Sequence, residues 1–118
     1  MINPEIFREY CLIKKGVSET LPFDERTLVM KVSNKMFAIT DLEKEFSITL
    51  KAKPEDVIAL TETYENIAGA YHFNKKHWIN IKINGSISEV FIKELIDNSY
   101  NLVIAGMTKK QRKLLLTE

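Results

Sequence analysis

Trp78-Ile79-Asn80-Ile81-Lys82-Ile83-Asn84 is the stretch on which the fold turns. Successive side chains of a strand point to opposite faces, so Ile79, Ile81 and Ile83 form one apolar face and Trp78, Asn80, Lys82 and Asn84 the other. A sheet buried on both sides shows no such alternation; this strand belongs to a sheet that buries one side. Phe46 to Lys53 repeats the pattern, with Phe46, Ile48, Leu50 and Ala52 on one face and Ser47, Thr49, Lys51 and Lys53 on the other. Two strands of the same sidedness predict one face packed by helices and an open face that is polar and basic.

Working outward, Asn84-Gly85 turns the chain and Ser86-Ile87-Ser88-Glu89 has the spacing of a capping box. A long helix follows, with Phe91, Ile92, Leu95, Ile96, Leu102 and Val103 directed to the sheet and Gly106 at its end. Thr108-Lys109-Lys110-Gln111 repeats the capping spacing and opens a short basic helix carrying Lys109, Lys110, Arg112 and Lys113 beside Leu114 to Leu116. On the other side, Pro54-Glu55-Asp56 starts a helix that offers Val57, Ile58, Leu60 and Tyr64 to the core. Two further strand-like runs, Leu28 to Val32 and Met36 to Thr40, precede Phe46 and make a meander with it. Asn3-Pro4 opens a first helix whose stripe is Ile6, Phe7, Tyr10 and Ile13, ending by Gly16. The order of helix, three strands, helix, long connection, strand, helix and short helix lacks regular strand–helix alternation. It predicts an α+β fold with an antiparallel sheet of about four to five strands, packed by helices on one face.

The chain has 118 residues, enough for a single domain over 1–118, and 45% hydrophobic with 28% charged residues is a folded rather than a disordered composition. Leu102 to Met107 is far short of the roughly 20 apolar residues a membrane helix needs, and no basic-then-apolar leader opens the sequence, so a soluble cytoplasmic protein is expected. Cys11 is the only cysteine, which excludes an internal disulfide and a multi-thiolate metal site within one chain. A net charge of +1 argues against a surface that is basic all over. The charge is sorted instead: residues 54–65 carry -4, 66–88 carry +3 and 106–118 carry +3.

Enzymatic signatures are weak. All four glycines fall at predicted element ends, leaving none for a phosphate cradle. His72 and His77 have no Asp or Glu between Glu65 and Glu89 to complete a metal set or orient an imidazole. Cys11 sits beside Tyr10 and Leu12 and reads as a buried, inert thiol. Asp41, Glu43 and Glu45 cluster in a hairpin tip. The expectation is a non-enzymatic protein without metal or cofactor.

Tyr71-His72-Phe73-Asn74-Lys75-Lys76-His77-Trp78 is the informative segment, because rings and cations interleave without an acid. It suits phosphate contact together with stacking on sugar or base. Gly69 to Trp78 also resembles the signature of the MmcQ/YjbR-like proteins. Pro22-Phe23-Asp24, Thr27 to Val32, Lys35 to Ala38 and Leu50 to Glu55 resemble further blocks of that family in the same order, over nearly the whole chain. The resemblance implies a small cytoplasmic bacterial protein with a CyaY-like, or double-wing, α+β fold, of a kind described as DNA-binding. Ser33-Asn34 stands where relatives often have glycine, and Lys53 where a capping Asp is common. The iron chemistry of frataxins wants an acidic ridge, whereas the first helix offers Glu5 and Glu9.

Together these readings predict nucleic-acid binding of poor sequence specificity, with duplex DNA the first choice. Lys51, Lys53, Lys75, Lys76 and Lys82 would neutralise phosphates; Asn74 and Asn80 would supply hydrogen bonds; Tyr71, His72, His77 and Trp78 would supply flat faces. The rival is a protein-interaction adaptor, or a self-dimerising module, using the same face.

Overall fold

The computed structural model describes residues 1–71 and 73–117. His72, one of the predicted site residues, lies outside them. In chain order the elements are α1 (Pro4–Leu12), β1 (Val17–Thr20), β2 (Thr27–Val32), β3 (Lys35–Asp41), β4 (Ser47–Lys51), α2 (Pro54–Thr63), β5 (Ile67–Gly69), β6 (Trp78–Lys82), α3 (Glu89–Ala105) and α4 (Lys109–Thr117). The strands form one six-stranded sheet in the order β1-β2-β3-β4-β6-β5, antiparallel throughout. The α+β architecture and the helix-packed face are as predicted. Six strands slightly exceed the expected four to five; β1 and β5 are the two not read from the sequence, being short edge strands with too few alternating residues to stand out from a loop.

Cross-strand partners share a face, so the register defines both sides of the sheet. Met30, Ala38, Leu50 and Ile79 form one transverse row, and Ile48 pairs with Ile81, which pairs with Ile67. All are buried in the main core together with Phe7 of α1, Val57 of α2 and Ile92, Leu95, Ile96 and Val103 of α3. The opposite face carries the row Thr20, Val29, Ile39, Thr49, Asn80 and Ala68. Phe37 and Ala38 are consecutive yet both lie in the core, which simple alternation forbids. A register shift explains it: Met30 faces Ala38 while Lys31 faces Met36, leaving Phe37 unpaired as an extra residue. Where the ladder between β3 and β4 runs out, the buried Ser99 of α3 bridges them. Its hydroxyl donates to the Phe37 carbonyl at 2.5 Å and accepts the Lys51 N–H at 2.9 Å.

Helix boundaries follow local chemistry. Asn3 caps α1 by accepting the Ile6 N–H at 2.8 Å, and Pro4 occupies the first turn. α1 stops at Leu12, so Ile13 turns outward and is 78% exposed instead of completing the predicted stripe. On α2, Ile58 is likewise 59% exposed, because Val57 and Leu60 already fill the sheet side. Lys53 sits at the N-cap of α2 without a side-chain cap, as its lack of an acceptor dictates. α3 begins at Glu89 with Ser88, not Ser86, as the cap; the Ser88 Oγ accepts the Phe91 N–H at 3.2 Å. Thr108 and Gln111 form the predicted reciprocal capping box of α4, at 3.1 and 3.0 Å. Ser33 and Asn34 take φ of 48° and 64°, the left-handed pair that a two-residue hairpin requires.

Tyr10 joins α1 to α3 by donating from its hydroxyl to Asp97 Oδ1 at 2.7 Å, and Lys14 pairs with the same carboxylate. Burial, then the Asp97 carboxylate, pushes the Tyr10 hydroxyl up to about 12. Burial also pushes the Cys11 thiol up to about 12, so this cysteine is the inert core residue expected. Among the described residues no helix is long and apolar enough to cross a membrane.

Candidate functional site

The helix-free face is not flat. Two loops rise over it and leave an open groove of about 500 Å³ between them, lined by Phe23, Arg26, Thr27, Ile39, Thr40, Asp41, Lys44, Ser47, Thr49, Phe73 and Asn80. The floor comes from the centre of the sheet. Ile39 and Thr49 are buried there, and Asn80 Nδ2 lies 3.0 Å from Thr49 Oγ1 and 3.1 Å from Ser47 Oγ. Three polar side chains from β4 and β6 are thereby locked into one patch, since Asn80 stands opposite Thr49 in the register.

One wall is the loop after β1. Asp24 Oδ1 accepts the N–H groups of Arg26 at 2.9 Å and Thr27 at 2.7 Å, and the Arg26 carbonyl accepts the Leu42 N–H at 2.7 Å. Those backbone hydrogen bonds, Arg26 first, hold the Asp24 carboxyl below the usual carboxylate range. The fastened loop presents Phe23 to solvent at 64% exposure. Arg26 Nε lies 3.7 Å from Asp41 Oδ2 and 4.0 Å from Asp24 Oδ2, drawing Asp41 into the groove rim rather than leaving it a plain solvated turn.

The other wall is the connection between β5 and β6. The Ala70 N–H bonds to the Trp78 carbonyl at 3.0 Å, the Phe73 N–H to Ala70 at 3.1 Å and the His77 N–H to Asn74 at 2.9 Å, with the Asn74 side chain accepting the Lys76 N–H at 3.0 Å. Phe73 leans on Trp78, the rings 5.5 Å apart and tilted by 36°. Beyond Phe73 a second compartment of about 310 Å³ runs past Thr49, Asn80, Ala68 and Gly69 to Tyr71. Lys75 folds back over Gly69, where an added Cβ would meet the Lys75 carbonyl at 3.1 Å, and its ammonium lies 5.7 Å from the Tyr71 ring centre.

The sequence-predicted residues are thus only partly assembled. Trp78, Asn80 and Lys82 share the helix-free face by register, Ser47 facing Lys82; Lys51 faces Trp78 in the ladder but, at the end of β4, also borders the cleft that Ala52, Asp56 and Asn98 line on the helix side. Lys51 and Lys82 stand at opposite ends of this ladder, about 13 Å apart along the strands. Tyr71, Asn74, Lys75 and Lys76 are exposed on the connection at its margin, while His77 is half-buried and its carbonyl is taken by the Ala52 N–H at 2.9 Å. Lys53 does not join them. β4 ends at Lys51, alternation ends with it, and Lys53 faces the cleft between α2 and α3 beside Asp56, Asn98 and Asn101. The cations are divided between the two ends of the β4–β6 ladder, the β5–β6 connection and the α2–α3 cleft rather than gathered on a continuous basic sheet face. Arg26 and Lys44 are not singled out by the sequence, and Phe23, Asp41 and Phe73 stand there in a family block, a hairpin tip and the aromatic segment without a place among the site residues; the available signal was Pro22-Phe23-Asp24 with Thr27, a phenylalanine set in an Asp-closed turn. Among the described residues no three metal-ligating side chains converge.

The class defined by this arrangement is a small α+β domain whose six-stranded antiparallel sheet is helix-packed on one face and grooved on the other. The family model described as YjbR matches residues 12–102, and the chain belongs to that family. It is 36% identical over 93 residues to the YbdF protein of Escherichia coli O157:H7, covering 78% of this chain and 76% of that one. It is 28% identical over 109 residues to the YjbR protein of Escherichia coli K12, covering 92% of each. The crystal structure of the Deinococcus radiodurans protein DR2400 superposes with a TM-score of 0.89 at 36% identity, over 94% of this chain and 86% of that one. A crystal structure from Pseudomonas syringae gives 0.74 at 28% identity, over 86% and 98%.

Proposed function

We propose that this protein is a non-enzymatic nucleic-acid-binding module and that the helix-free face is its platform. The observation that carries the reading is the groove: phenyl rings on both walls, a locked amide and two hydroxyls on the floor, and Arg26, Lys44, Lys51, Lys75, Lys76 and Lys82 on or around that face. Cations provide affinity by releasing counterions from phosphates, and they do so whatever the sequence. The polar floor is too small to read more than a base or two, so sequence preference is weak. If about four of these cations engage phosphates, log affinity falls against log salt with a slope of about -3 to -4.

Anisotropy titrations of labelled DNA at two ionic strengths test this. Replacing Lys75 and Lys76 together by Glu is expected to weaken binding by at least about tenfold. Absence of binding below about 100 μM in low salt overturns the reading.

The exposed Phe23 and Tyr71, the latter at 82%, favour one second reading, in which they anchor a protein partner or a second copy of this chain. Sedimentation separates the two readings: a dimer lost on Phe23→Ala supports protein contact, and a monomer that binds DNA supports the platform.

A further inference from the structure

We infer that the groove between Phe23 and Phe73 is a pocket for an unpaired nucleobase, so that single-stranded nucleic acid is the preferred ligand of this face. The inference rests on the nucleic-acid reading above and goes beyond it by naming the state of the strand.

Shape comes first. A cavity of about 500 Å³ is within the range that holds one flat heteroaromatic ring and its sugar. A paired base in a duplex has both faces stacked and its pairing edge occupied, so it enters a groove with aromatic side walls only after extrusion from the helix. An unpaired base enters without that cost and offers a face for stacking and an edge for hydrogen bonds.

The chemistry of the lining matches such a base. Phe23 supplies an exposed ring on a loop held by two N–H groups donating to the Asp24 carboxylate and by the Leu42 N–H donating to the Arg26 carbonyl, so little order remains to be gained on binding. Asn80 is anchored through Nδ2 to two hydroxyls, and no group among the described residues bonds its Oδ1. Asp41 and Arg26 add an acceptor and a donor at the rim. A base edge, with donors and acceptors side by side, finds both kinds of partner here.

Continuity favours a strand over a free nucleotide. The second compartment shares Thr49, Phe73 and Asn80 with the first and leads to Tyr71, so the track carries on past Phe73 for a neighbouring residue of the same strand. Lys75 lies at that end, against Gly69 and Tyr71, where a phosphate would pass.

The test compares four probes by anisotropy competition: a short oligothymidine, a hairpin duplex of similar charge, an abasic strand of the same length, and thymidine monophosphate. The expected result is at least about tenfold tighter binding of oligothymidine than of the duplex or the abasic strand. Phe23→Ala, at an exposed position that does not threaten folding, is expected to weaken oligothymidine by between about 5-fold and about 100-fold and to leave the abasic strand unchanged. Equal binding of duplex and single strand overturns the inference, as does a Phe23→Ala variant that weakens both strands alike or neither. Thymidine monophosphate that binds as tightly as the oligomer also overturns it, by removing the role of the strand. Loss of all binding in the Lys75→Glu, Lys76→Glu variant with an inert Phe23→Ala leaves the platform standing and sinks the pocket alone. No binding by any probe in the unaltered protein sinks both.

Discussion

The two faces of this sheet use the same strands for opposite purposes. On β4, Leu50 is buried among α-helices, and one residue away Thr49 lies on the floor of an open groove, its hydroxyl bonded to Asn80. The first face is closed by apolar contact from all four helices; the second carries two fastened loops, and although Val29, Ile39 and Thr49 are buried on it, a groove stays open between the loops. The difference teaches where stability and binding reside. Area removed from water stabilises the helix side, whereas the groove side leaves rings and polar groups available at modest cost to the fold.

The sharpest way to break this contrast is to truncate neighbours. Leu50→Ala is expected to cost about 2–5 kcal/mol in urea denaturation, because the cavity it leaves is lined by core. Thr49→Ala, one position along, is expected to cost less, about 1–2 kcal/mol, the loss of a buried methyl and of one hydrogen bond whose donor, Asn80, keeps Ser47. Equal costs would mean that the groove side is as much a core as the helix side. Ser99→Ala comes next, at about 1–3 kcal/mol, since it strands the Phe37 carbonyl and the Lys51 N–H together in a buried place. Native-state hydrogen exchange at Lys51 should report it directly.

Two pH responses are smaller and again divide the faces. Tyr10 on the helix side loses its proton at the usual 10 when unfolded but only at about 12 when folded. Its contribution to stability is therefore complete below pH 10 and is lost as pH rises towards 12. Urea midpoints measured across that interval should fall, and Tyr10→Phe should flatten the fall. Asp24 on the groove side has the opposite sign, with its folded value below the unfolded 3.8. What it contributes is present above 3.8 and disappears as pH drops through the lower folded value, where it becomes protonated. Amide exchange at Arg26 and Thr27, corrected for its intrinsic pH dependence, should then accelerate while Ile92 and Ile96 in α3 stay protected. Acceleration at both sites together would show a global rather than a local loosening. The smallest effect is chemical: with its thiol pushed up to about 12, Cys11 should resist a disulfide reagent until denaturant is added.

Much of the fold was legible because its signals are local. Isoleucine at every second position of β6, Asn3-Pro4 before α1, Thr108 and Gln111 around the start of α4, and the Ser33-Asn34 turn each depend on residues within one element. Legibility failed where a neighbour far along the chain decides. Ile13 and Ile58 look like core residues on their own helices, yet α1 ends before Ile13 and Val57 has the sheet-facing place that Ile58 would need. Lys53 continues the alternation of β4 on paper, but the chain has already turned away into α2. The site suffered most: Phe23 and Phe73 are 50 positions apart and become the two walls of one groove only through the strand order.

From its sequence alone this protein is determined to be an α+β domain whose sheet is packed by helices on one face, because alternation, capping and turn chemistry act over a few residues and leave their mark on residue type; the YjbR family is carried separately, by the match over residues 12–102. Tertiary structure alone decided that the bare side is a groove rather than a flat basic surface. That outcome depends on where two loops from different parts of the chain come to rest, and such long-range placement is set by packing, which no short stretch of sequence records.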